Sequence, residues 1–175
     1  MLLGAFAAAS LILPPAQATA QTATRLYIMD CGHKAANDQA RWSPGVNAGK
    51  PIELSDNCYL IQHGSQLLLS DTGYPDSVAD KPLTSAVGTA TRARRHQSLL
   101  VRLPRTGYVV LSGDLAHFED NWDNDRGPSM NTSADQTHAS RAKVVKVLDE
   151  KKAQLWINHD KPTSIGQKHS PDFYD

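Results

Sequence analysis

Three aliphatic segments of the chain each close on a side chain able to bind a metal ion or move a proton: Leu68-Leu69-Ser70-Asp71, Val110-Leu111-Ser112-Gly113-Asp114 and Trp156-Ile157-Asn158-His159. Carboxylate and imidazole are ligands suited to a divalent cation such as zinc, and imidazole also exchanges protons near neutral pH. A side chain at the tip of a strand is held by rigid backbone yet faces a cleft, and clefts form where strand tips meet. Gly73 and Gly113 let the chain turn tightly beside two of these residues. One Asp after a strand is an ordinary turn or cap residue. Three segments ending alike point to one shared site.

The elements that would carry them follow from periodicity and turn chemistry. Leu26-Tyr27-Ile28-Met29 predicts a short strand, and the polar residues 30–50 predict a long loop with turns at Ser43-Pro44-Gly45 and Gly49-Lys50-Pro51. Residues 58–62 and 66–70, joined by His63-Gly64-Ser65, form a first hairpin, and residues 98–103 and 108–112 flank Pro104-Arg105-Thr106-Gly107 as a second. Residues 76–95 show no period and carry Arg92, Arg94 and Arg95, which suits a loop or short helix. Residues 121–132 form a polar loop. A capping box from Ser133 to Gln136 opens a helix to about Lys152, with Ala139, Ala142, Val145 and Leu148 as its buried stripe. Residues 155–158 add one more strand.

Composition narrows the function classes. At 175 residues the chain suits one domain, and 18 basic against 18 acidic side chains leave no broad cationic field for nucleic acid or an anionic membrane surface. Three Phe among 175 residues are too few for a base-stacking platform. Residues 1–24 bear no charged side chain, and the apolar run of residues 2–13 followed by Pro14-Pro15 and Ala18-Thr19-Ala20 is expected to be a signal peptide over residues 1–20. That run falls short of the roughly 20 apolar residues a membrane span needs. A periplasmic or secreted product with no membrane attachment after cleavage is therefore expected. Export would permit Cys31 and Cys58 to pair, while each also suits a small buried apolar position. The sequence leaves both open.

Read in order, Ser70-Asp71-Thr72-Gly73, His96-Gln97-Ser98-Leu99, Ser112-Gly113-Asp114-Leu115-Ala116-His117-Phe118 and Trp156-Ile157-Asn158-His159-Asp160 resemble the metallo-β-lactamase superfamily, and within it the N-acyl homoserine lactonase-like hydrolases. Arg41-Trp42-Ser43-Pro44-Gly45, Asp56-Asn57-Cys58-Tyr59-Leu60-Ile61 and Phe173-Tyr174 extend the resemblance over residues 25–175. The resemblance implies an αββα sandwich with a metal cleft at its edge, zinc as cofactor, and a small lactone or ester substrate opened by metal-activated hydroxide. By position it makes Asp114 the bridging carboxylate and His159 the last histidine ligand. Asp71 becomes the carboxylate that orients a ligand, and His96 a supporting residue.

The superfamily's His-x-His-x-Asp-His segment is not among the seven histidines of this chain. Where relatives carry it, residues 74–95 are short, and Arg92 stands at a position where they have a histidine. The fold class expected is thus an incomplete αββα sandwich with an internal deletion near residues 76–95, and an impaired or inactive centre. Asp114 and His159 alone are fewer than the three protein ligands a catalytic zinc usually takes. His33 and His117 are candidate substitutes, along with His96. Exposed sheet edges left by the deletion are expected to find cover in a rearranged loop or in a homo-oligomer. The competing expectation is a non-catalytic exported binding or scaffold domain that kept the sheets and lost the metal.

Overall fold

A computed structural model describes residues 23–71 and 97–175; the leader, Gly73, the Arg92 to Arg95 cluster and His96 lie outside the described residues. Strands β1 (Arg25–Ala36), β2 (Ile52–His63) and β3 (Gln66–Ser70) form an antiparallel sheet in that order. The first expected hairpin is present. His63 pairs with Gln66 across a two-residue Gly64-Ser65 turn, and Gly64 takes φ of 57°, a conformation that costs glycine little.

Strand β1 runs on to Ala36 through what the sequence suggests is a loop. Residues 33–36 pair with residues 52–55, and a bulge between Asp30 and His33 absorbs the extra residues. The Gly32 amide donates to Asp30 Oδ1 at 3.0 Å inside that bulge. This half of the strand is mostly exposed, so it lacks the apolar alternation that marks a half-buried strand, and main-chain pairing with β2 holds it instead. Cys31 in the bulge is joined to Cys58 on β2 by a disulfide.

The second sheet contains β4 (Leu99–Leu103), β5 (Gly107–Leu111) and β6 (Gln154–Trp156). Strands β4 and β5 are the second expected hairpin, and β5 and β6 are parallel. Parallel neighbours need a long crossover. It contains α1 (Glu119–Asp123), where a loop is expected, and α2 (Ala134–Lys151), capped by Ser133 as the sequence indicates. A short helix α3 (Lys161–Ile165) follows β6, with Asp160 as its N-cap.

The two sheets face each other. Leu26, Ile28 and Tyr59 from the first pack with Leu103, Val109 and Trp156 from the second in one buried cluster. Each such side chain contributes about 1.5–3 kcal/mol by leaving water. A smaller cluster of Ala36, Trp42, Leu54 and Phe118 lies near the β1–β2 end.

The buried stripe of α2 differs from expectation. Ala139, Ala142 and Val145 are exposed, while Thr137, Arg141, Val144 and Leu148 turn inward. Steps of three drift around a 3.6-residue helix, whereas steps of four, three and four keep one face. Arg141 anchors that face: it is buried, pairs with Asp125 at 2.8 Å, and donates to the carbonyls of Arg126 and Leu115. The result is a mixed α/β protein of two small sheets with few helices.

Candidate metal centre

Strand β5 ends at Leu111, and Ser112 leads into a 3-10 turn over Gly113–Leu115 that carries Asp114. Gly113 has φ of 53°, and a Cβ there would sit 2.9 Å from the Gln97 carbonyl oxygen. Only glycine lets the chain turn so close to β4. The Ser98 hydroxyl donates to the Ser112 carbonyl at 2.7 Å, and the Ser112 amide donates to the Trp156 carbonyl at 2.9 Å. The start of this turn is thereby tied to both neighbouring strands.

His159 leaves the end of β6 and meets β2. The Ser55 amide donates to the His159 carbonyl at 3.2 Å, and the Ser55 hydroxyl donates to the Asn158 carbonyl at 3.0 Å. The ring then returns a bond: His159 Nδ1 lies 2.9 Å from the Ser55 carbonyl. Its other nitrogen, Nε2, lies 2.7 Å from Asp114 Oδ1. Two of the three residues singled out in the sequence therefore converge.

The electrostatics follow from those two contacts. A carbonyl and a carboxylate both accept, so the two contacts favour the protonated form of the His159 ring. Burial opposes that charge, but the Asp114 hydrogen bond and charge, the Ser55 carbonyl and Asp56 outweigh it and raise the His159 pKa above the ordinary imidazole value. Asp56 Oδ1 stands 3.9 Å from His159 Nδ1. Burial raises the Asp56 carboxyl above the usual range, against the pull of His159, and Asp71, Asp114 and Asp30 add to the rise.

Asp71 is placed one residue away from this pair. Asn158 Nδ2 donates to Asp71 Oδ2 at 2.6 Å, so Asp71 braces the residue that precedes His159. His117 joins the site from the segment after the 3-10 turn. Its ring stacks on that of His159 with centroids 5.3 Å apart and meets the edge of Trp42 at 6.4 Å. Donor atoms of Asp114, His117 and His159 all lie within 4.8 Å of one another, the one such group of three among the described residues. His33 is outside this group, exposed on β1 opposite Ser55. His96 falls outside the described residues.

Ser55, Asp56 and Asn158 are site residues that strand-tip reasoning does not single out. Ser55 and Asp56 lie within β2, not at its tip, and their part in the site depends on β2 running beside the end of β6. Asn121 is another. It is buried in α1 and donates to the Trp42 carbonyl at 3.0 Å and the Ser43 hydroxyl at 2.8 Å, which fixes the loop beside His117.

The donor set fits a divalent cation. Two imidazoles and a carboxylate are zinc ligands, and three are the usual protein complement of a catalytic site. The Ser55 carbonyl on Nδ1 sets the ring so that Nε2 faces Asp114, the outer-sphere pattern that holds a ligating histidine in place. His159 Nε2 and Asp114 Oδ1, 2.7 Å apart, mark where a cation would be held.

No protein-family profile matches the chain. It is 33% identical over 102 residues to the N-acyl homoserine lactonase AttM of Azorhizobium caulinodans, a stretch that covers 58% of this chain and 38% of that protein. The AttM lactonase of Rhizobium radiobacter is 33% identical over 101 residues, with the same shares. The match thus spans less than two fifths of the length of these relatives. Among solved structures, a quorum-quenching N-acyl homoserine lactone hydrolase superimposes with a TM-score of 0.72 at 15% identity, covering 87% of this chain and 98% of that one. A variant of B. thuringiensis AiiA with N-decanoyl-L-homoserine at its active site gives 0.71 at 14% identity over 87% and 99%. An N-acyl homoserine lactone hydrolase with N-hexanoyl-L-homoserine at its catalytic metal centre gives 0.71 at 14% identity over the same shares. The chain is thus similar in sequence to part of the AttM lactonases and shares the fold of these solved lactone hydrolases.

Proposed function

From that partial sequence similarity and that fold, we propose that the chain is a metal-dependent hydrolase of lactonase type, acting on N-acyl homoserine lactones or similar small cyclic esters. The observation that carries it is the meeting of Asp114 and His159 at 2.7 Å, from positions 45 residues apart, at the edge of the two sheets. Asp114 and His159 would hold zinc. When bound there, zinc supplies Lewis acidity, polarising an ester carbonyl and making water nucleophilic near neutral pH.

The chain's own residues orient and shield. Ser55 fixes the His159 ring through Nδ1, Asn158 and Asp71 brace the peptide ahead of it, and Trp42 closes one side against His117. With the His-x-His-x-Asp-His segment absent from the sequence, turnover is slow, because fewer ligands hold the cation and fewer positive charges stabilise the opening ring. Residues near 76–95 mark an internal deletion, and residues 25–175 form one domain. The leader over residues 1–20 directs export, and a Cys31–Cys58 disulfide accords with an oxidising compartment. Among the described residues no helix is long and apolar enough to cross a membrane. Leu67, Leu68 and Leu69 on β3 and Leu100 on β4 are exposed, which supports self-association.

Ring opening releases one acid equivalent, so titration at constant pH with N-hexanoyl homoserine lactone tests the proposal. Zinc-loaded protein is expected to consume base, and Asp114→Asn and His159→Ala to stop doing so. Absence of ring opening at any zinc load would favour the non-catalytic binding domain instead.

A further inference from the structure

We infer that the Cys31–Cys58 disulfide is a redox clasp on the candidate metal centre: opening it with a dithiol loosens the arm between the two cysteines and weakens metal binding. The inference rests on the metal-dependent reading above and adds a regulation of that site.

Three observations carry it. The two cysteines of the chain enclose residues 32–57, and Trp42, Ser55 and Asp56 all lie inside that loop. Each reaches the site: Trp42 edges His117, the Ser55 carbonyl sets His159 Nδ1 at 2.9 Å, and Asp56 Oδ1 stands 3.9 Å from the same nitrogen. The bond also spans a break in the ladder between β1 and β2. Asp30 pairs with Asn57 and His33 with Ser55, so Asp56 stands across from the bulge that holds Cys31 and Gly32. A bulge disrupts main-chain pairing, and here a covalent link crosses the gap. The two ends of the bond differ in exposure. Cys31 is exposed and Cys58 is 1% exposed, so a reductant meets the bond from the bulge side.

Beyond the break the arm is secured by hydrogen bonds. Residues 33–36 pair with residues 52–55, and at the tip Asp38 Oδ1 accepts from the Ala40 and Gly49 amides at 3.0 and 2.9 Å, which closes the arm on itself. Asn121 and Ser129 donate to the Trp42 and Arg41 carbonyls and tie it to the segment around α1. An exposed segment held by main-chain bonds opens at lower cost than the core, so losing the covalent link acts here first. Thiol–disulfide exchange moves two electrons and two protons from the dithiol to Cys31 and Cys58, leaving two cysteine thiols and the reductant's own disulfide.

Hydrogen exchange read by mass spectrometry, together with zinc titration, tests the clasp on oxidised protein, on protein reduced with a phosphine, and on Cys31→Ser with Cys58→Ser. The phosphine stands in for the dithiol, which would compete for zinc, and the serine variant separates loss of the bond from zinc capture by new thiols. In both opened forms exchange is expected to accelerate over residues 33–56 and to stay unchanged in β5, while zinc affinity, read against a chromophoric chelator, falls about tenfold. If the variant misfolds by circular dichroism, the reduced wild type decides. Unchanged exchange over residues 33–56, equal acceleration in β5, or undiminished zinc affinity in the opened forms would overturn the clasp. No zinc binding by the oxidised form would overturn the metal-dependent reading and the metal half of this inference, with release of the arm still read from exchange.

Discussion

His159 Nε2 and Asp114 Oδ1 lie 2.7 Å apart although the two residues leave different strands of the second sheet and each is fixed by a different neighbour. Ser55 on the first sheet sets the ring, and the Gly113 turn sets the carboxylate. The pair behaves as a clamp closed on a proton, and a cation must displace that proton to bind.

That displacement fixes a pH dependence. The folded His159 pKa is raised above 6.5, so without metal its contribution to stability is fully present below the unfolded value and is lost as pH rises through the raised one. Metal-free protein is expected to melt at a lower temperature on the alkaline side of that transition, and His159→Gln to remove this component. Zinc affinity runs the other way. It is expected to strengthen as pH rises, with proton release seen as a buffer-dependent heat in calorimetry. Equal heats in buffers of different ionisation enthalpy would contradict it.

Gly113→Ala tests the turn that carries Asp114. The new Cβ meets the Gln97 carbonyl at 2.9 Å in a backbone of φ 53°, and a destabilisation of about 1–3 kcal/mol is expected. Zinc binding is expected to weaken as well. Gly166→Ala, where the nearest atom is 3.5 Å away, is the control, and equal effects in urea titrations would contradict the role given to Gly113.

Much of this arrangement is legible in the sequence, and the exceptions have physical causes. Both hairpins show because their turns carry Gly64 and the Pro104 to Gly107 run between aliphatic segments, and α2 shows because Ser133 and Gln136 mark its start. The second half of β1 does not show, because an exposed strand held by its main chain leaves no apolar alternation. The inward face of α2 is hidden for a similar reason, since its anchor is the buried cation Arg141 and not an aliphatic residue. At the site, Asp114 and His159 are legible as strand tips. Ser55 is not, because what it offers the His159 ring is a main-chain carbonyl that any residue could supply, and its hydroxyl bond to the Asn158 carbonyl depends on β2 running beside the end of β6.

The Cys31–Cys58 disulfide closes a loop of 27 residues and pins the β1 bulge to β2. Reduction is expected to cost about 3–4 kcal/mol in unfolding free energy. Urea denaturation with and without a phosphine reductant measures it, and Cys31→Ser with Cys58→Ser should reproduce the reduced value. An unchanged midpoint on reduction would show that the bond contributes nothing.

Leu67 and Leu68 on β3 are 66% and 54% exposed, an unusual load of apolar surface for one short strand. If a second copy covers them, sedimentation is expected to show concentration-dependent association that Leu67→Lys with Leu68→Lys abolishes. A chain that stays monomeric at all concentrations would remove the homo-oligomer from the account.

The metal centre itself is tested most directly by anomalous diffraction at the zinc edge from crystals of zinc-loaded protein. The expected result is a peak within bonding distance of His159 Nε2 and Asp114. A peak elsewhere on the molecule, or none beside these two residues, would contradict the account.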